Sequence, residues 1–446
     1  MLPFLIFIVF NFAFGDDFNP TVEVPGGSLE GIWEETIKGR TFASFERVPY
    51  AEPPVGGLRF EPPRPVKPWK GVWDATGPVE NCLQYDPVVQ QIMGAEDCLF
   101  VNIYSPSLKE NANLPVMVFI HGGAFMYGSG SVYDPTFIMD WDMVVVTFNY
   151  RVGPLGFLST GDKAAPGNIG LKDQAFALHW IKKNIKVFGG NPDSITLTGS
   201  SAGGASVHYH LLSPLSKGTF HRAMSLSGSA FLPWSFASTP AKYAKKLAMR
   251  VGCPTANSEE MVKCLRTVDG NALINVTTTM FEWKVQLFTK FLPTVEPSDV
   301  EGAFLTKHPY EASIIGDFYD VPLVITHTSE EGLYPAAVYQ KAPSLLPAIE
   351  EQWDDIAPDM FHYRDTLAPE KMKAQIQRTH RHKRSRLMQS VRCVRCRSVN
   401  AYLKHEVIRR ISANVCVYKI RRMHTLNVIQ YHNDTTVSSL SFNALT

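Results

Sequence analysis

The sequence predicts an α/β fold with a mostly parallel central sheet flanked by helices. Three observations carry that prediction. Strand-like and helix-like patterns alternate from about residue 115 to 330, the order expected when helices cover both faces of a parallel sheet. Several apolar, strand-like runs lead straight into glycine-rich or acidic turns, as strands do when they deliver loops at their carboxyl ends. The chain has 446 residues, 45% of them hydrophobic, enough to bury a large core without requiring two domains.

The elements follow in order. Val116-Met117-Val118-Phe119-Ile120 is an apolar strand that runs into His121-Gly122-Gly123-Ala124-Phe125. Met143 to Phe148 reads as a continuous apolar strand. Leu171, Leu178, Ile181 and Ile185 share one face of a helix that stops near Gly189. The β-branched run Ser194-Ile195-Thr196-Leu197-Thr198 predicts a strand, and Ala202-Gly203-Gly204-Ala205-Ser206 predicts a helix start just after it. A last strand, Val321-Pro322-Leu323-Val324-Ile325-Thr326, leads into Thr328-Ser329-Glu330-Glu331-Gly332. There are no internal repeats.

Between that strand and helix lies Gly199-Ser200-Ser201-Ala202-Gly203, a match to G-x-S-x-G. A serine on a sharp strand-to-helix turn projects its hydroxyl clear of the sheet, and flanking glycines let strand and helix approach closely. Alone the match is weak, since chance supplies one in about six or seven chains of this length. The His121 to Phe125 loop raises its value. A glycine-rich loop after a strand can turn several backbone N–H groups towards one point, which is what a developing oxyanion needs. The ordinary alternative for each motif is a strand-end turn; the two in this order, each after a strand, favour catalysis.

These segments resemble the type-B carboxylesterases of the α/β-hydrolase superfamily, the group that includes the cholinesterases. The resemblance is carried further by Val48-Pro49-Tyr50-Ala51-Glu52-Pro53-Pro54-Val55-Gly56, Glu96-Asp97-Cys98-Leu99-Phe100-Val101-Asn102, Asn168-Ile169-Gly170-Leu171-Lys172-Asp173-Gln174 and Phe188-Gly189-Gly190-Asn191-Pro192. It covers about residues 20 to 377 and looks closest to invertebrate esterases. It implies an α/β-hydrolase fold, no cofactor or metal, and a small-molecule carboxylic ester as substrate. It makes Ser201 the nucleophile, Glu331 the triad acid, and the N–H groups of Gly123, Ala124 and Ala202 the oxyanion hole, with Gly122 shaping the loop. Trp234 falls where the family places an acyl-pocket residue, and Phe281 to Phe291 where it places the wall of the substrate gorge. Core packing explains that aromatic segment equally well, and a solvated acidic turn is the commoner fate of Glu-Glu-Gly. Two departures stand out. Ala124 replaces a third glycine, and its N–H is equally able to donate. Ser200 precedes the nucleophile where glutamate is common, which bears on substrate preference more than on mechanism. The segment from Cys82 to Cys98 contains no tryptophan, whereas cholinesterases carry one there to hold a quaternary ammonium, so a choline ester is not expected.

Leu2 to Phe14 is apolar apart from Asn11, too short to span a bilayer, and Ala13-Phe14-Gly15 suits signal peptidase. Residues 1–15 therefore read as a secretory signal, and the mature protein as secreted, with no membrane span. Seven cysteines fit an oxidising compartment. The family resemblance pairs Cys82 with Cys98 and Cys253 with Cys264, each short loop contributing about 3 kcal/mol in the chain-entropy model. Asn275-Val276-Thr277 and Asn433-Asp434-Thr435 are glycosylation acceptors.

The organisation is thus a signal at 1–15, an esterase domain at 16–377 and a tail at 378–446. The net charge of +1 hides an asymmetry: residues 1–377 hold 29 Lys+Arg against 40 Asp+Glu, and residues 378–446 hold 14 against 2. The tail has neither Gly nor Pro. The family's last strand and helix are not legible in it. Nor is its catalytic histidine, expected in a Gly-x-x-His context roughly a hundred or more residues beyond the acid. His380, His382, His405, His424 and His432 are the candidates, and His432 has the best spacing, without the glycine. Cys393-Val394-Arg395-Cys396 lacks the second pair that a zinc site needs, and nucleic acid is not an expected partner of a secreted protein. A solvated extension is poorer in Val, Ile and Leu than this tail. A change of composition without a linker reads best as a shifted frame, an intron read-through or an alternative exon. Two functional readings result: a serine carboxylesterase, or an esterase-like binding or adhesion protein that has lost catalysis. The sequence carries no signal for oligomeric state.

Overall fold

The computed structural model describes residues 18–280, 290–328, Glu331, Ser344, Pro347, 351–360, and the backbone of 416–418, 426–431 and 437–442. Its centre is an eight-stranded sheet. In chain order the strands are β1 (Ile32–Glu35), β2 (Thr41–Pro49), β3 (Phe100–Ser105), β4 (Leu114–Ile120), β5 (Val144–Phe148), β6 (Gly190–Ser200), β7 (Arg222–Leu226) and β8 (Leu323–Thr326). In space they run β8-β7-β6-β4-β5-β3-β2-β1. The five strands from β8 to β5 pair in parallel, and β3, β2 and β1 add antiparallel strands at the other edge.

The expected strands and helices all form. All five residues of β5 are buried, as a central strand covered on both faces requires. Strand β8 starts at Leu323 instead of Val321, because Pro322 has no N–H to give the ladder; its carbonyl still accepts from Ala223 N at 2.9 Å. The predicted helix is α1 (Ile169–Asn184), which buries Leu171, Leu178 and Ile181. A 3-10 turn, Ile185–Phe188, tightens its end, and Gly189 closes it in the left-handed region at φ 80°. Helix α2 (Ala202–Leu212) follows the serine turn and is buried along almost its whole length.

The Asn168 to Gln174 segment ties these layers together through buried polar groups. Asp173 receives Arg151 Nε at 2.8 Å and Nη2 at 2.6 Å. Lys172 Nζ lies 2.6 Å from Glu296, which also accepts from Asn168 and from the Phe304 amide. Gln174 bonds Ser206 and His210 on α2. Each charge is paired and hydrogen-bonded, the condition under which burial is tolerated.

Both disulfides form as expected, Cys82–Cys98 and Cys253–Cys264. Asn275 is exposed on the helix Gly270–Thr277. Two parts of the fold were not foreseen. The strands before residue 115 were not recognised, and β3 is wholly buried. Within the tail, Cys416–Tyr418, Leu426–Tyr431 and Val437–Phe442 pair as a separate three-stranded antiparallel sheet, where the sequence suggested no regular element. Residues 1–15, 281–289, Asn433 and the pair Cys393 and Cys396 lie outside the described residues. Among the described residues no helix is long and apolar enough to cross a membrane, and no group of three or more His, Cys, Asp or Glu could hold a metal.

Candidate active site

Register alone gathers the motifs. Ile120 of β4 pairs with Gly199 of β6, Ser200 with Leu226 of β7, and Leu226 with Thr326 of β8. Four adjacent parallel strands therefore end side by side, and the loops that follow them meet at one rim. Those loops carry His121 to Phe125, Ser201, Ser227 with Gly228, and His327, Thr328 and Glu331.

Ser201 sits at the turn from β6 into α2 with φ 56° and ψ −119°. Such a conformation costs a non-glycine residue about 1–3 kcal/mol and persists only where the surroundings enforce it. Here they do: Ser201 N donates to Leu226 O at 2.8 Å, and its carbonyl accepts from Ala205 N at 2.9 Å. The motif glycines permit the turn. A methyl on Gly203 would lie 2.0 Å from Ile120 O, and one on Gly199 would lie 2.4 Å from the Gly203 carbonyl. Ala202 is fully buried at the first position of α2, where backbone N–H groups have no partner within the helix.

The His121 to Phe125 loop lies directly against this turn. A methyl on Gly122 would come within 3.2 Å of Ser201 Cβ. Gly123, Ala124 and Phe125 all have positive φ, at 103°, 56° and 59°. Ala124 is therefore not cost-free in place of glycine, as its donor capacity alone suggested: the left-handed backbone costs it about 1 kcal/mol. His121 is buried beneath the loop. Its ring stacks on Tyr150 at 4.3 Å between centroids, and Tyr150 donates its hydroxyl to His121 O. Nδ1 faces Gly122 O at 2.8 Å, so Nδ1 carries the proton, and burial pushes this imidazole down to about 4.

Glu331 is exposed, yet it is held. Its Oε1 accepts from Ser227 Oγ at 2.7 Å and from Thr328 N at 2.8 Å. Ser227 itself has φ 52°. It follows β7 beside the serine turn, and the sequence offered no sign of it: a single serine after a strand matches no motif. The next residue touches the turn, since a methyl on Gly228 would lie 2.0 Å from Ser201 O.

The loop continues to Trp234, which is half-buried in the 3-10 turn Pro233–Ser235. His208 on α2 anchors this loop. Its Nδ1 meets Ser229 Oγ at 3.1 Å and accepts from Ala230 N at 3.3 Å, and its ring packs on Phe231 at 4.7 Å. Burial pushes His208 down to about 4, so it stays neutral at physiological pH.

Among the described residues no histidine nitrogen bonds the Ser201 hydroxyl. His121 and His208 commit Nδ1 to Gly122 O and to Ser229, His210 uses both ring nitrogens on Ser216 and Gln174, and His327 turns Nδ1 to Thr328 O at 3.0 Å. His380, His382, His405, His424 and His432 lie outside the described residues.

Comparison with known proteins bears on this site. The profile of the Carboxylesterase family matches residues 19–422. A protein named carboxylic ester hydrolase from Bombus ignitus is 42% identical over 365 residues, 80% of this chain and 64% of the relative. Venom carboxylesterase-6 of Apis mellifera is 42% identical over 81% of this chain and 66% of its own length. Esterase FE4 of Myzus persicae is 43% identical over 79% of this chain and 63% of its own length. The chain thus spans just under two thirds of each of these relatives.

Proposed function

The chain belongs to the carboxylesterase family, whose α/β-hydrolase fold its sheet and helices display, and on that premise we propose that it is a carboxylic ester hydrolase acting through Ser201. The observation that carries the reading is the strained Ser201 turn, set between a loop of positive-φ residues and a carboxylate held by two donors.

Each group has a role in that chemistry. A histidine takes the Ser201 proton as the hydroxyl attacks the ester carbonyl, and Glu331 orients the imidazole and stabilises its charged form. The N–H groups of Gly123, Ala124 and Ala202 receive the developing oxyanion. The imidazolium returns that proton to the leaving alcohol, an acyl-Ser201 intermediate remains, and water, deprotonated by the same imidazole, attacks it; the proton passes back to Ser201 as the acid is released. Trp234 lies on the acyl side. The histidine that acts as base is not identifiable in this chain: His432 has the best spacing from Glu331 but lacks the family's glycine before it, and no cofactor takes part. In such triads loss of the base lowers kcat by about 10⁶, while the oxyanion hole and binding keep about 10³–10⁴ over water. Residues 1–15 serve as a secretory signal, residues 16–377 as the esterase domain and residues 378–446 as a separate tail.

The test is hydrolysis of p-nitrophenyl acetate and butyrate by the full chain beside Ser201→Ala. Turnover that disappears in Ser201→Ala supports the enzyme. Equal rates for both folded proteins leave the binding or adhesion reading in its place.

A further inference from the structure

Gln84 is a buried side chain, 1% exposed, that the proposed chemistry does not use. It stands two residues after Cys82, inside the loop that the Cys82–Cys98 bond closes. Both ends of its amide are engaged. Nε2 donates to Cys82 O at 2.7 Å and to Gly128 O at 3.0 Å, and Oε1 accepts from Gly128 N at 2.6 Å. Only this orientation sets two donor hydrogens on two carbonyls, so the amide cannot be turned around without losing all three bonds. The Gly128 backbone is thereby paired through both its groups, as a neighbouring strand would pair it.

Gly128 closes the loop that begins at His121. Its φ is 119°, and a methyl there would lie 2.5 Å from His121 Nδ1 and 2.6 Å from Gly122 O. It therefore packs on the hydrogen bond that His121 makes to the Gly122 carbonyl. In a trans peptide the carbonyl and the following N–H point opposite ways, so the direction of Gly122 O sets the direction of Gly123 N–H. A second tie sits beside the first. Asn149, also 1% exposed, accepts from Gly130 N at 2.9 Å and from Ser129 Oγ at 3.1 Å, and donates to Glu80 O at 2.8 Å. Residues 80–84 thus hold residues 128–130 by two side chains.

We propose that Gln84 is a positioning residue for the oxyanion loop: it pins Gly128, and through Gly128 it fixes the Gly122–Gly123 peptide, coupling the disulfide-closed loop to the site. Its catalytic consequence rests on the reading of Gly123 as an oxyanion donor; its structural content does not. Gln84→Met keeps the length of the side chain and removes every hydrogen bond. Gln84→Glu keeps the acceptor for Gly128 N and turns an anionic oxygen on two carbonyls.

Hydrogen exchange read by mass spectrometry tests the proposal on the full chain, whatever its activity. In both variants amides across 122–128 are expected to exchange at least about ten-fold faster, while those of α1 stay within about two-fold. The rate at which a fluorophosphonate modifies Ser201 should fall about ten-fold. Unchanged exchange across 122–128 would overturn the proposal, and so would an equal rise throughout the protein, which marks general destabilisation. Faster local exchange with an unaltered modification rate would overturn the coupling to the site. Failure of the unsubstituted protein to react at all would count against Ser201 as nucleophile, and the exchange data would still decide whether Gln84 holds the loop.

Discussion

Ser227→Ala isolates the support of the proposed acid. The substitution removes one of the two described donors to Glu331 Oε1 and leaves Thr328 N in place. Alanine meets the same left-handed backbone at φ 52° as serine does, so little new strain enters. A hydrogen bond to a charged group is worth about 1.5–3 kcal/mol. Glu331 is exposed, and water can replace part of what is lost, so the low end applies: about 1.5 kcal/mol, or roughly ten-fold in rate. The assay is the second-order rate of Ser201 modification by a fluorophosphonate, with kcat/KM on p-nitrophenyl butyrate beside it. Glu331→Gln should lose more than Ser227→Ala does. A Ser227→Ala rate within two-fold of the parent would refute the argument, because the carboxylate would then need no help from Ser227.

Two further predictions concern the frame around the site. Lys172→Met strands Glu296, whose side chain is fully buried, and breaking such a pair costs about 3–5 kcal/mol. That corresponds to a Tm lowered by roughly 5 °C in a domain of this size, with Lys172→Met/Glu296→Gln recovering part of the loss; calorimetry showing a shift under 1 °C would contradict it. The histidines predict the response to acid. Burial holds His121 and His208 at about 4 and His210 at about 3, all below the unfolded value near 6.5. The unfolded chain takes up protons that the folded chain refuses, so their stability contribution is full above about pH 6.5 and is lost as pH falls toward 4. Tm measured across that window should drop, and His210→Gln should flatten the drop; an unchanged slope would count against it.

The parallel half of the fold was legible because its signals are local. Apolar runs such as Val144 to Phe148, the α1 periodicity and the stop at Gly189 each report the environment of a few neighbouring residues. The antiparallel strands were not, since fifty residues separate β2 from β3 and neither motif nor period announces their pairing. The site divides in the same way. Ser201 and the His121 loop stand in motifs whose spacing follows from strand, turn and helix. Ser227, Gln84 and His208 matter through partners 104, 44 and 21 residues away. A lone serine, glutamine or histidine looks the same in sequence whether or not a distant loop leans on it. Ala124 shows the converse. Its chemistry was readable as an N–H donor, but its φ of 56° is a property of the folded loop.

Locating the fluorophosphonate adduct tests the central claim most directly. The folded, disulfide-bonded chain is treated with the probe, digested, and its peptides are sequenced by mass spectrometry. The proposed function predicts one adduct, on Ser201, absent from Ser201→Ala and slowed in Glu331→Gln. An adduct on another residue, or none on a folded protein, would contradict it.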